Sequence, residues 1–251
     1  MIQIHFHTDD NQQRWAWTEG LQAPGQWEMC VSVSWSENDA RDKLISNFFK
    51  FIEKYLNSQP KRLLPQQTLR YGWSLLRFVQ DRENLSGVGP DILRIEEQKN
   101  PFADGDPVYI PGIAQTLALL QIQNEAMVRN RTTGVSLYPS PSQSALICTR
   151  LTPETIQHLR PIMAHRSWQP KNPHESGWFI GCCEDNHNHN NANELTTVHL
   201  LHLVEQFPGI FPYLAMPVGM LLLFEERQAI IYRPNEEFGQ ADPKSLLTAL
   251  P

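Results

Sequence analysis

Gly177–Cys183 reads GWFIGCC and is followed at once by Glu184–Asn191, EDNHNHNN. A short apolar run between a glycine and a polar stretch has the length and composition of a buried strand, too short for a helix. A loop follows it that holds two carboxylates and two histidines. Working outward, Asn191 or Asn193 is expected to cap a helix through ELTTVHLLHLVEQF, with Asn191 and Glu194 at capping-box spacing. PGIFPYL stops that helix, and GMLLLFEER and QAIIYRP form two strands joined by a polar turn, a hairpin. The C-terminal tail ADPKSLLTALP is a short helix or loose chain.

Upstream, Ser144–Leu151 (SALICTRL) reads as a strand. In LTPETIQHLRPIM, Thr152 and Pro153 form a helix start, with proline at the first helical position. The turn-rich YPSPSQS places a domain seam near Ser140 to Ser144, giving an N-terminal mixed domain over residues 1–143 and a C-terminal one over 144–251. In the N-terminal part, IQIHFH alternates with period two, and Glu28–Trp35 (EMCVSVSW) puts Met29, Val31, Val33 and Trp35 on one face. A helix capped by Ser36 or Asn38 follows. Its residues Leu44, Ile45, Phe48, Phe49, Ile52, Tyr55 and Leu56 recur at i, i+3, i+4 spacing. QTLRYGWSLLRFVQD is expected to be one strand and Ile113 to Val128 a second helix. The fold class expected is α+β: two mixed subdomains, the C-terminal one a small antiparallel sheet with one main helix.

The chain has 251 residues and no apolar run of about 18, so no membrane span is expected. Its start, MIQIHFHTDDNQQRW, lacks a basic region followed by an apolar one, and a cytoplasmic location is expected. The four cysteines, Cys30, Cys148, Cys182 and Cys183, have no disulfide-framework spacing and read as reduced thiols. From Pro161 to Pro251 there are 5 Lys+Arg against 10 Asp+Glu, a net of −5, whereas the first 160 residues carry 16 against 17. An acidic C-terminal part disfavours nucleic acid and favours a basic partner; simple solubility is the bland alternative.

Three chemistries are open to the polar stretch. Cys182, Cys183, His187 and His189 are permitted metal ligands, with His199 and His202 one turn apart on the expected helix able to join them. The spacing is not that of a zinc knuckle, and no metal or other cofactor is expected. Cys182 or Cys183 beside His187 resembles a thiol and base. Glu184 and Asp185 favour the protonated, inert thiol, so no catalytic residue is assigned. The adjacent carboxylates Glu184 and Asp185, Glu225 and Glu226, and Glu236 and Glu237 do not face each other, and adjacency alone makes no acid–base pair. No phosphate-binding loop, dinucleotide fingerprint or nucleophile elbow is present. The seven tryptophans lack the interleaved basic residues of a nucleic-acid platform.

Glu175–Asn186 (ESGWFIGCCEDN), an Asn-rich loop, a helix, FPGIFPYLAMPVG and LLLFEE follow an order that resembles immunity protein family thirty-three of bacterial polymorphic toxin systems. In that family a Ser-Gly-Trp opens a strand, a glycine and an acidic pair follow, and an Asn-rich connection leads to a helix and a final strand. The resemblance covers about Pro161 to Asn235, and the double cysteine is where this chain is idiosyncratic. It implies a protein that binds and neutralises a toxin made by the same cell, without catalysis. Such toxins include nucleases and some are delivered by type VI or similar secretion. On this reading the partner is a cognate toxin encoded nearby, basic in charge, with no nucleic-acid or membrane partner. The toxin-binding residues are Glu184, Asp185, Asn186, His187, Asn188, His189 and Asn190, and Gly177 and Trp178 anchor the loop from the core. The rival readings are a metal- or thiol-dependent hydrolase that reverses toxin damage, and a scaffold protein.

Overall fold

A computed structural model describes residues 2–232 apart from 22–25, 36, 38, 59–61, 85, 89–90, 133–137, 159–160, 168–169, 185–186 and 226–227. The helix caps expected at Ser36 or Asn38 and the C-terminal tail therefore lie outside the described residues. The fold is α+β, with two mixed sheets and a few helices. The chain divides into two compact units, residues 1–119 and 120–251.

In the first unit, β1 (Gln3–Thr8), β2 (Arg14–Glu19), β3 (Glu28–Val33), α1 (Asp39–Ser58), β4 (Thr68–Tyr71), β5 (Ser74–Gln80), β6 (Ile92–Gln98) and β7 (Tyr109–Pro111) follow in sequence. The sheet order is β1-β2-β3-β6-β5-β4, with β7 paired to β6. β3 and β6 are parallel, and α1 lies in the connection between them. Ile45, Phe48, Phe49, Ile52 and Leu56 of α1 share one buried cluster with Met29, Val31, Val33, Phe78 and Ile95 from the sheet, as the apolar spacing of the helix requires. The stretch expected to be one strand, QTLRYGWSLLRFVQD, is instead the β4–β5 hairpin. Tyr71 pairs with Ser74 across a two-residue turn, and Gly72 supplies the left-handed backbone (φ +60°) that such a turn demands.

The next helix, α2 (Ala114–Arg129), contains the boundary between the units. Leu117 belongs to the first unit's core, while the Gln123 amide donates to the Phe211 carbonyl of the second at 3.2 Å. The seam read near Ser140 to Ser144 and the division at Leu119 and Leu120 differ because turn residues mark where chain direction changes, and a continuous helix carries no such mark. Glu97 of β6 accepts from the backbone N–H of Gln115 and Thr116 at 3.1 and 2.7 Å, satisfying donors that the first turn of α2 leaves open.

The second unit continues with β8 (Ser144–Cys148), β9 (Ile162–Arg166), β10 (Glu175–Cys182), β11 (Leu195–His199), α3 (Leu200–Gln206), β12 (Leu221–Phe224) and β13 (Ala229–Tyr232). The sheet order is β11-β8-β10-β9-β12-β13, antiparallel except between β8 and β10. The expected hairpin is β12–β13, with Leu221 opposite Tyr232 and Phe224 opposite Ala229. Two helix expectations are corrected. Residues 153–158, after the start signal at Thr152 and Pro153, form turns, and Ile162 already opens β9. ELTTVHLLHLVEQF is half strand: Leu195–His199 pairs with β8, and the helix begins only at Leu200. Thr196, Thr197 and Val198 are β-branched and lose rotamer freedom in a helix, so a neighbouring strand edge wins them.

Candidate functional site: a thiol–imidazole cluster beneath the Asn-rich loop

β8 and β10 lie side by side and parallel, with Leu146 opposite Phe179 and Ile147 opposite Ile180. Both strands end on cysteine. This brings Cys148 and Cys182, 34 residues apart in sequence, to a sulfur–sulfur distance of 3.7 Å. The chain then leaves the sheet and folds back over this end. Nδ1 of His187 lies 3.0 Å from the Cys182 sulfur and 3.1 Å from that of Cys148. Nε2 of His189 lies 3.5 Å from the Cys182 sulfur. Glu194 holds the other side of the His187 ring, with Nε2 and a carboxylate oxygen 2.7 Å apart. A carboxylate there requires the proton on Nε2 and leaves the Nδ1 lone pair facing the sulfurs.

The cluster is inside the protein. Cys148 is 0% exposed, Cys182 1%, and the side chain of His187 1%. Burial pushes the Cys182 thiol above its ordinary value, and the neighbouring Cys148 and Glu184 add to the shift. Burial also lowers the pKa of His189, helped by His187, so the neutral imidazole is favoured. The His189 ring stands edge-on to Phe179, with centroids 5.3 Å apart. Gly181 makes this approach possible. A Cβ there would come within 2.8 Å of the Phe179 ring and 3.0 Å of His189, closer than carbon atoms pack.

The residues read from sequence separate into inner and outer sets. His187 is inner. His189 is partly covered, while Asn188 and Asn190 are exposed. The Asn188 side-chain oxygen accepts from the Asn190 N–H at 3.0 Å, and that of Asn191 from the Asn193 N–H at 3.1 Å, so two Asx turns shape the crest of the loop. Glu184 is paired with Arg150, in the turn after β8. Asp185 and Asn186 lie outside the described residues. Cys183 is exposed and takes no place in the cluster. His199 contacts the Ser142 carbonyl at 3.0 Å and His202 contacts Glu205 at 3.2 Å.

Beneath the loop, Trp178 is fully buried and its Nε1–H donates to the Leu214 carbonyl at 3.0 Å. Gly177 has φ +77° where the β8–β10 register shifts, a bulge that sets the facing of the residues after it. Sequence reading missed Cys148 and the part Glu194 plays. The available signal was two apolar strands, SALIC and WFIGC, each ending on cysteine.

Among the described residues no helix is long and apolar enough to cross a membrane. No curated protein and no solved structure matches the chain. Residues 123–233, the C-terminal part that carries β8 to β13 and the whole thiol–imidazole cluster, match the family model of the Imm33-like domain.

Proposed function

We propose that this chain is an immunity protein that binds a cognate antibacterial toxin in the cytoplasm of the cell that makes both and blocks it without catalysis. The observation that carries this reading is the match of residues 123–233 to the Imm33-like domain. The net charge of −5 from Pro161 to Pro251 favours a basic toxin, as expected of a nuclease that binds phosphate. Delivery by a type VI or similar secretion system fits such a toxin. The contact surface is the loop from Glu184 to Asn190, extended by the exposed residues Asn191–Asn193. Its flexible amides offer donors and acceptors, while His187 and His189 support it from beneath.

A thiol-dependent hydrolase is the second reading, because Cys182, His187 and Glu194 have the connectivity of nucleophile, base and orienting carboxylate. Three features weigh against it. The Cys182 sulfur is buried, its thiol is pushed toward the protonated form, and a second sulfur competes for the same nitrogen.

The test is co-expression with the toxin encoded in the adjacent gene. The two chains should purify as one complex. Asp185→Lys with Asn190→Arg should weaken that complex while leaving the Arg150–Glu184 pair and the Asn188 turn acceptor in place. Unchanged affinity in this double variant would remove the loop from the contact surface. Failure of the wild-type chains to associate would remove the function itself.

A further inference from the structure

We propose that Cys148, Cys182, His187 and His189 bind one zinc ion in a closed, four-ligand tetrahedral site. The four ligand atoms all lie within 4.8 Å of one another. With zinc–sulfur bonds of about 2.3 Å and zinc–nitrogen bonds of about 2.0–2.1 Å, a tetrahedron sets sulfurs about 3.8 Å apart and sulfur from nitrogen about 3.6 Å. The Cys148–Cys182 distance of 3.7 Å and the Cys182–His189 distance of 3.5 Å match these edges. His187, at 3.0 and 3.1 Å from the sulfurs, is drawn in by hydrogen bonding to the thiols; outward movement of about half an ångström would bring it to the tetrahedral edge.

The donor set selects the ion. Two thiolates and two neutral imidazoles in a tetrahedral arrangement suit zinc, and calcium or magnesium would require oxygen ligands. Binding releases the two thiol protons, so two thiolates balance the dication. The surroundings are those of a metal site. Glu194 takes the distal N–H of His187 and fixes its tautomer and ring plane, the outer-shell arrangement typical of metal-bound histidine. With four protein ligands no position is left for water or substrate, so the ion is structural.

The ion would pin the loop after β10 to the ends of two adjacent strands. The chain between Cys182 and the turn at Ala192–Glu194 would then be held at His187 and His189. The site stands on its own geometry. Only its consequence, a preorganised contact loop, rests on the immunity reading.

The full chain, reduced and stripped of metal, is titrated with Co(II) as the probe and then with Zn(II). One cobalt per chain should bind, with the intense visible ligand-field bands of a tetrahedral site and a thiolate charge-transfer band. One equivalent of zinc should abolish both. Cys183→Ser should leave the spectrum unchanged, and Cys148→Ser should lose the four-coordinate spectrum. Glu194→Gln should keep that spectrum and weaken zinc binding by about 10–100-fold. The wild-type stoichiometry and spectrum decide the matter even if Cys148→Ser fails to fold. The proposal is overturned by weak six-coordinate bands, by a folded Cys148→Ser chain with an unchanged spectrum, or by a Cys148–Cys182 disulfide that excludes metal under the same reducing conditions. A chain that fails this titration yet binds its toxin would overturn the proposal and leave the immunity function standing.

Discussion

Trp178 joins the two halves of the site's foundation, filling the core beneath β10 and donating to the Leu214 carbonyl. Trp178→Ala should cost about 3–5 kcal/mol, because the cavity left by an indole is only partly refilled. Trp178→Phe keeps most of the apolar volume and strands the Leu214 carbonyl, a loss of about 1–3 kcal/mol. Denaturant unfolding of the two variants checks this. A Trp178→Phe variant as stable as the wild type would mean that the hydrogen bond contributes nothing. At this scale the sequence was legible where chemistry is local. The Ser-Gly-Trp pattern marked the opening of a strand, while the left-handed backbone of Gly177, φ +77°, came only with the structure. The loop histidines stand out as unusual by composition alone. Cys148 was not legible, because its role arises only when β8 pairs with β10, a contact across 34 residues.

Among the elements, the β1–β2 turn carries a pH-sensitive clasp. Asp9 accepts from the Trp15 indole N–H at 3.1 Å and from the backbone N–H groups of Asn11 and Gln13 at 2.9 and 2.8 Å. The Trp15 hydrogen bond is the chief reason its carboxyl is held below the ordinary value, with the backbone donors assisting against a smaller opposing effect of burial. A depressed folded-state pKa contributes stability above the unfolded carboxylate pKa, and that contribution is lost as pH falls through the lowered folded value. Asp9→Asn should therefore flatten the acid side of the stability profile for the first unit. Thermal melts taken from neutral pH down through the carboxylate range check this, and an unchanged acid limb would contradict it. Periodicity identified the elements with a one-sided apolar face. The face of α1 is one such case; the β12–β13 pair was read instead from two apolar runs on either side of a polar turn. Periodicity failed where two periods overlap. ELTTVHLLHLVEQF fits helical spacing throughout, yet Thr196–Val198 are held by their pairing with β8, which no local window contains. β2 and β6 were missed for a related reason. β2 buries Trp15 and Ala16 in succession, and β6 buries Ile95, Glu96 and Glu97, so neither alternates cleanly.

For the whole molecule, charge and stoichiometry separate the possible functions. The excess of acidic residues from Pro161 onward, 10 against 5, should steer a basic toxin toward this protein. Salt screens that attraction over about 8 Å at physiological strength. The association rate should fall as salt rises from low to moderate, with the dissociation rate changing less. Stopped-flow mixing measures both, and a salt-independent association rate would reduce the charge asymmetry to a matter of solubility. Inhibition by binding also differs from repair in its dependence on amount. A blocker consumes one copy for each toxin it silences, whereas an enzyme that reverses damage protects at a small fraction of that amount. The most direct measurement is therefore the residual activity of the purified cognate toxin as this protein is added in increasing ratio. The account predicts a linear fall that reaches zero at one chain per toxin, with tight association. Protection at far below one chain per toxin, or full toxin activity at large excess, would contradict it.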